Sequence, residues 1–247
     1  MFAKTHIAVL FFCASLNAQV TIVNNASFRG DQPVAAGSWV AAFGSFSGVT
    51  TTTASSFPLP KTLAGVKVTI EGTDAPIYDV RSSQLTFLVP YSVTPGVHAV
   101  QITTGGATVN GSVRVISSAP GLFTKDTQTP PRGAVRNQDG ATENASSSPT
   151  RRGDVISIYA TGPGVLSQQP QDGAAPGASP LISTRSTPQV FIGGIEAQVQ
   201  FSGLNPDAPG LWQINAVVPS QSFVTGRVAL RVFMDGVDSN EVTLFVQ

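Results

Sequence analysis

One phrase occurs twice in this chain, and it limits the fold more than any other feature. Residues 83–90 read SQLTFLVP and residues 210–219 read GLWQINAVVP. Each sets Gln, an apolar residue, Thr or Asn, one further residue, an apolar residue and then Val-Pro in that order. The match continues outward. VKVTIEGTDA at 66–75 answers PQVFIGGIEA at 188–197, AAGSWVAAFGS at 35–45 answers RRGDVISIYAT at 151–161, and NAS at 25–27 answers NAS at 144–146. Downstream, VTPG at 93–96 answers FVTG at 223–226, and AVQITTGGATVNGSVRVI at 99–116 answers ALRVFMDGVDSNEVTLFV at 229–246. Landmarks in one order, with spacing that drifts only by loop-sized insertions, mean two copies of one unit.

Each copy reads as a series of short strands. Apolar residues follow period two over 38–43, 66–70, 84–89 and 99–102 and at their partners, the spacing of a half-buried strand. Gly105-Gly106 and Asp235-Gly236 sit between strands near the end of each copy, where positive φ makes a tight hairpin. Val-Pro ends the repeated strand because proline has no N–H to give to a ladder. Six or seven strands in about 100 residues predict an all-β fold, two tandem immunoglobulin-like β-sandwich domains related by internal duplication. The cysteine pair and core tryptophan of antibody domains are not expected. The divisions read as a signal peptide over 1–18, a first sandwich over 19–116, an ordered Pro/Gly-rich connector over 117–142 and a second sandwich over 143–247.

Export follows from the N-terminus. Lys4 precedes the apolar run IAVLFFCASL at 7–16, and Leu-Asn-Ala ends at Ala18 as a small-residue cleavage site, the plan of a secretory signal. A first buried strand is the alternative. The only cysteine, Cys13, falls inside this segment, so hydrophobic packing and not disulfides must hold the mature chain. No membrane-spanning segment is expected after signal removal. Charged residues are 11% of the chain and cancel to a net charge of zero, which leaves no basic stripe to displace phosphate counterions and excludes nucleic acid as a partner.

NNASFRGDQPVAAGSWVAAFGS, FPLPKTLAGVKVTIEG, QLTFLVPY, APGLFT, NQDG, RRGDVISIYATGPG and LWQINAVVP together resemble the Solibacter-type C-terminal domain family, exported acidobacterial proteins without an assigned activity. Each half is also similar to IPT/TIG-type immunoglobulin-like domains. The resemblance covers nearly all of 20–247. It implies an extracytoplasmic β-sandwich module and supplies no catalytic residue.

Reactive chemistry finds little to stand on. His98, the one histidine outside the signal, lies at the start of a strand, and no G-x-S-x-G elbow accompanies it, so no triad is expected. One histidine without a mature cysteine cannot assemble a zinc site. Asp31, Asp74, Asp139, Asp154, Asp172 and Asp235 lie beside glycine or in turns, where carboxylates bond nearby amides. Asn137, Asp139 and Glu143 around Gly140 resemble a fragment of a calcium loop, against which stands an Asx turn. Arg-Gly-Asp occurs at 29–31 and 152–154, each just before a strand, and Asn25, Asn110 and Asn144 fit N-x-S/T. No cofactor, metal or catalytic residue is expected.

The aromatic residues are more informative. Parity places Trp39 and Phe43 on one strand face, and Tyr159 on the matching face of the second copy, beside Ser157. That face is predicted to be the outer one. The connector or N-terminal segment covers these rings, or they form a contact surface for another protein or domain, or they stack on sugar rings. The leading expectation is a non-enzymatic exported structural or adhesive module at the cell surface, outside the cell or in the periplasm, whose partner is an unidentified protein or a surface glycan. The alternative is a carbohydrate-binding module using Trp39, Phe43 and Tyr159, or a half-buried Trp212.

Overall fold

The computed structural model describes residues 20–30 and 32–247. The signal over 1–18, with Cys13, and Asp31 of the first Arg-Gly-Asp lie outside the described residues. The first copy forms β1 (Thr21–Asn24), β2 (Val34–Ala35), β3 (Trp39–Phe43), β4 (Thr52–Thr53), β5 (Thr62–Leu63), β6 (Val66–Ile70), β7 (Thr73–Asp74), β8 (Ile77–Val80), β9 (Gln84–Leu88), β10 (Gly96–Thr104) and β11 (Ala107–Ile116). The second forms β12 (Gly121–Leu122), β13 (Val135–Arg136), β14 (Val155–Thr161), β15 (Gln189–Ile192), β16 (Ile195–Ala197), β17 (Val199–Leu204), β18 (Trp212–Val217), β19 (Gly226–Met234), β20 (Val237–Asp238) and β21 (Val242–Val246).

Alternation explains why these segments are strands. In β10, Val100, Ile102 and Thr104 are buried while Gln101 and Thr103 are exposed, so one face packs and the other is solvated. At the hairpin tips, Gly105 and Gly106, and likewise Asp235 and Gly236, all have positive φ, as a two-residue turn matched to strand twist demands.

Each copy packs two sheets face to face. In the first, one sheet runs β1-β3-β9-β8-β4 and the other β2-β11-β10-β6-β5, with β7 added to β6. In the second, β12 and β13 flank β14 in a sheet continuing through β18 to β17, opposite a sheet of β16-β15-β19 with β20 and β21 on β19. Val40, Phe87, Val100 and Ile102 belong to one core, and Ile156, Trp212, Ile214 and Leu230 to another. The protein is two tandem immunoglobulin-like sandwiches.

The duplication extends to strand register. Trp39↔Leu88, Val40↔Phe87, Ala41↔Thr86, Ala42↔Leu85 and Phe43↔Gln84 pair β3 with β9. Their counterparts Val155↔Val217, Ile156↔Ala216, Ser157↔Asn215, Ile158↔Ile214 and Tyr159↔Gln213 pair β14 with β18. The other sheet repeats as well: Val68↔Ile102 and Ile70↔Val100 correspond to Val190↔Val232 and Ile192↔Leu230. The copies part after the final hairpin. Val100 faces Gly111, but its counterpart Leu230 faces Val242, one residue beyond the equivalent position. The extra residue falls in the 239–241 stretch. There the Asn240 side chain accepts from Leu122 N at 2.8 Å and donates to Leu122 O at 3.0 Å, fixing β12 on the second domain.

One expectation changes. Trp212 is wholly buried, in phase with Ile214 and Ala216 on β18, and its Nε1 donates to Ser202 Oγ at 3.0 Å. It is neither half-buried nor a platform but a core side chain of the second domain. Residues 117–142 carry β12 and β13, both antiparallel to β14, with Leu122 and Val135 packed into the second core.

Candidate functional site

β3 turns Val40 and Ala42 into the first core and sets Trp39, Ala41 and Phe43 on the opposite face. Exposure along that face is uneven. Phe43 is 38% exposed, Trp39 is half-buried, and Ala41 between them is wholly buried. On the same side of the neighbouring β9, Thr86 and Leu88 are buried as well, although neither belongs to the first core. The second domain supplies cover at this end. Gly210 lies so close that a Cβ there would sit 2.5 Å from Leu88 Cδ2 and 2.8 Å from the Gly37 carbonyl oxygen.

Hydrogen bonds fix the junction at several points. Trp39 donates its backbone N–H to Thr161 Oγ1 at 2.8 Å and its indole Nε1–H to the Pro209 carbonyl at 2.9 Å. Leu59 N donates to Gly173 O at 2.8 Å, and Tyr91 N to Asp172 Oδ1 at 2.9 Å. Buried polar groups paired across a seam resist its opening, because each would need a new partner.

Beside this seam lies an open cleft of about 860 Å³. One wall is the outer face of β3, β8 and β9, carrying Trp39, Tyr78 and Gln84, with Phe57 from the loop after β4. The other wall carries Tyr159 of β14, Phe123, Arg136 and the 205–211 loop. Tyr78 meets Trp39 edge-on, with centroids 5.5 Å apart and planes at 83°, the geometry that the ring quadrupoles favour. The Arg136 guanidinium sits 5.6 Å from the Tyr159 ring centre, within cation–π range. Trp39 and Tyr159 thus share one cleft. Phe43 does not line it and packs instead against Phe28 at 6.3 Å.

Four of the six charged side chains that line the cleft form two ion pairs. Asp79 is buried, accepts from Thr53 Oγ1 at 2.7 Å and pairs with Arg81 at 2.7 Å. The bond to Asp79 raises the Arg81 pKa. Glu143 pairs with Lys125, whose hydrogen bond holds the Glu143 carboxyl below the usual range.

The remaining motifs have structural uses. His98 bonds Thr94 O at 2.7 Å, and its Nδ1 lies 3.6 Å from Glu71 Oε1. Asp139 accepts from the amides of Ala141 and Thr142, closing a turn. Those bonds and the Thr142 hydroxyl keep its pKa low. Asn144 is buried, and its amide bonds both Asn137 and Phe245. Asp154 of the second Arg-Gly-Asp accepts from Arg151 N at 3.1 Å. No group of three metal-ligating side chains occurs among the described residues.

No family model matches the chain, and no curated protein matches it. Solved structures with similarity include SGBP-B of the Bacteroides ovatus mixed-linkage glucan utilization locus, in complex with a mixed-linkage heptasaccharide. There the identity is 13%, the match covers 87% of this chain and 42% of that one, and the TM-score is 0.34. The plexin A4 extracellular region shows 11% identity over 100% of this chain and 20% of that one, with a TM-score of 0.29. A titin immunoglobulin tandem shows 10% identity over 94% and 96%, with a TM-score of 0.23. The chain spans less than half the length of the first two.

Phe57 and Tyr78 escaped sequence reasoning. Phe57 lies in a Ser/Pro stretch without period. Tyr78 lies on β8 at a bulge between Ile77 and Asp79, which turns Ile77 and Val80 into the core and sets Tyr78 and Asp79 together along the cleft, so period-two alternation gave no signal for it.

Proposed function

We propose that the protein is an exported, non-enzymatic structural or adhesive module that engages its partner through the cleft between its two sandwiches. The observation that carries this reading is the pairing of a fixed junction with a solvent-accessible set of aromatic rings. Tyr78 is 39% and Phe57 46% exposed at the edge of a cleft whose size is typical of ligand sites. Keeping such rings in water costs free energy that a bound partner recovers. The binding role is further supported by the cleft's ion pairs, since Asp79 and Glu143 are each committed to a cation and not poised to move a proton. The signal-like N-terminus and the resemblance to Solibacter-type modules support export to the cell surface, the periplasm or the medium.

A thermal-shift screen of the purified protein against saccharide, peptide and small-metabolite panels tests the reading. A partner should raise the melting midpoint of the wild type and not of the Tyr78→Ala/Phe57→Ala double variant. Hits that stabilise both proteins equally, or turnover of any hit, would contradict it.

A further inference from the structure

We infer that the cleft takes a neutral oligosaccharide or polysaccharide chain. The inference rests on the cleft being the binding surface, and it names the class of ligand. Sugars present two kinds of surface: flat patches of C–H and a rim of hydroxyls. The cleft offers a match for both. Trp39 has given its only side-chain donor to the Pro209 carbonyl, so what it offers a ligand is the apolar part of the ring that lines the cleft, held in place by that bond and by Tyr78 at right angles to it. Around it stand Gln84, Asn205 and Asp207, amide and carboxylate groups of the kind that bind hydroxyls.

Charge argues for neutrality. Arg81, Lys125 and Arg136 are matched by Asp79, Glu143 and Asp207 along the same lining, and two of the cations are already paired. Arg136 and Asp207 carry no ion pair among the described residues, but they are of opposite sign, so the lining sums to zero and a chain of either charge gains no net attraction unless it opens one of the two pairs.

Backbone geometry argues against an extended peptide. β3 pairs with β1 and β9, and β8 pairs with β9 and β4, so on this wall the only strand edge left free is that of β4, which brings Thr53 to the lining and at two residues is too short to pair with an extended peptide. A ligand meets side chains here, which suits a sugar. The open form lets a chain pass through where a closed pocket would take only a terminus.

Tryptophan fluorescence provides the test. The chain has two tryptophans. Trp212 is sealed in the second core, and Trp39 lines the cleft. The purified protein is titrated with cellohexaose, xylohexaose, mannohexaose and laminarihexaose, with hexagalacturonate as the anionic counterpart. At least one neutral hexaose should change the Trp39 signal and saturate, with the anionic oligomer weaker. Tyr78→Ala should weaken that binding about tenfold, Tyr78→Phe should restore it, and Phe223→Ala, an exposed ring outside the cleft lining, should leave it unchanged. Phe57→Ala gives an independent weakening should Tyr78→Ala disturb its strand. Silence from every neutral hexaose at about 10 mM, or binding equally strong in Tyr78→Ala and Phe57→Ala, overturns the inference. A peptide that binds and is lost with Tyr78 would also overturn it while leaving the cleft as the binding surface. Silence from all ligand classes would remove both readings.

Discussion

Replacing Gly210 by alanine should loosen the junction while sparing both cores. Gly210 has φ +61°, a conformation that costs a residue with a Cβ about 1–2 kcal/mol. The added carbon would also meet Leu88 Cδ2 at 2.5 Å, Gly37 O at 2.8 Å and Trp39 Nε1 at 3.4 Å. The first two contacts are too short to keep, and one is to backbone, so the 209–210 segment must move by a good part of an ångström. The neighbouring bond from Trp39 Nε1 to Pro209 O, now 2.9 Å, is then stretched or lost, at a further cost of about 1 kcal/mol. Strain, displaced packing and the lost bond add to roughly 2–4 kcal/mol. All of it falls on the seam. In a thermal melt the first transition should drop by roughly 5–10 °C, and Trp39 emission should shift to the red as its ring gains water. Gly153→Ala is the control. Gly153 also has positive φ, but a Cβ there meets nothing within 4 Å, so only the strain remains. The reasoning fails if Gly210→Ala melts and emits like wild type, or loses no more than Gly153→Ala.

Two further predictions follow from the cores and the seam. Trp212→Ala removes the largest wholly buried side chain of the second domain and one of the two bonds to Ser202 Oγ, which keeps the Thr184 hydroxyl as a donor at 2.7 Å; it should cost about 3–5 kcal/mol in urea unfolding, with the first domain's transition preserved. Tyr91 carries a hydroxyl that is enclosed and has no hydrogen-bond partner among the described residues, and burial, with Asp172 nearby, raises its pKa. A raised pKa means the unfolded chain ionises first, so this group's contribution is complete below about pH 10 and lost as pH rises further. Tyr91→Phe should be neutral or stabilising by about 1 kcal/mol at pH 7, and it should flatten the alkaline fall in stability measured by urea unfolding at stepped pH.

Much of the architecture could be read from residues because a duplication prints its register twice. The Gln84 and Gln213 phrases pair with β3 and β14 residue for residue, and each alternating run shows which face is apolar. The site was less legible. Parity put Trp39, Phe43 and Tyr159 on outer faces, but it carries no information on which faces meet. Trp39 and Phe43 share a strand and a face, yet the second domain covers one end of that strand and leaves the other beside Phe28. The closeness that brings Trp39 to Tyr159 depends on Gly173 and Gly210 at the seam, in loops whose sequence shows no period. Alternation alone does not show whether an indole N–H finds a partner inside, and that decides between a half-buried and a wholly buried Trp212. Ser202 supplies a buried partner, and that lets the ring sit wholly inside.

The central claim is that the two sandwiches form one rigid unit whose seam shapes the cleft. Pulsed electron-electron distance measurement between spin labels on Thr108→Cys and Gln198→Cys, both exposed and one on each domain, tests it most directly, with Cys13 replaced by serine. The account predicts a single narrow distance distribution that Gly210→Ala broadens. A broad or multimodal distribution in the wild-type background would contradict it.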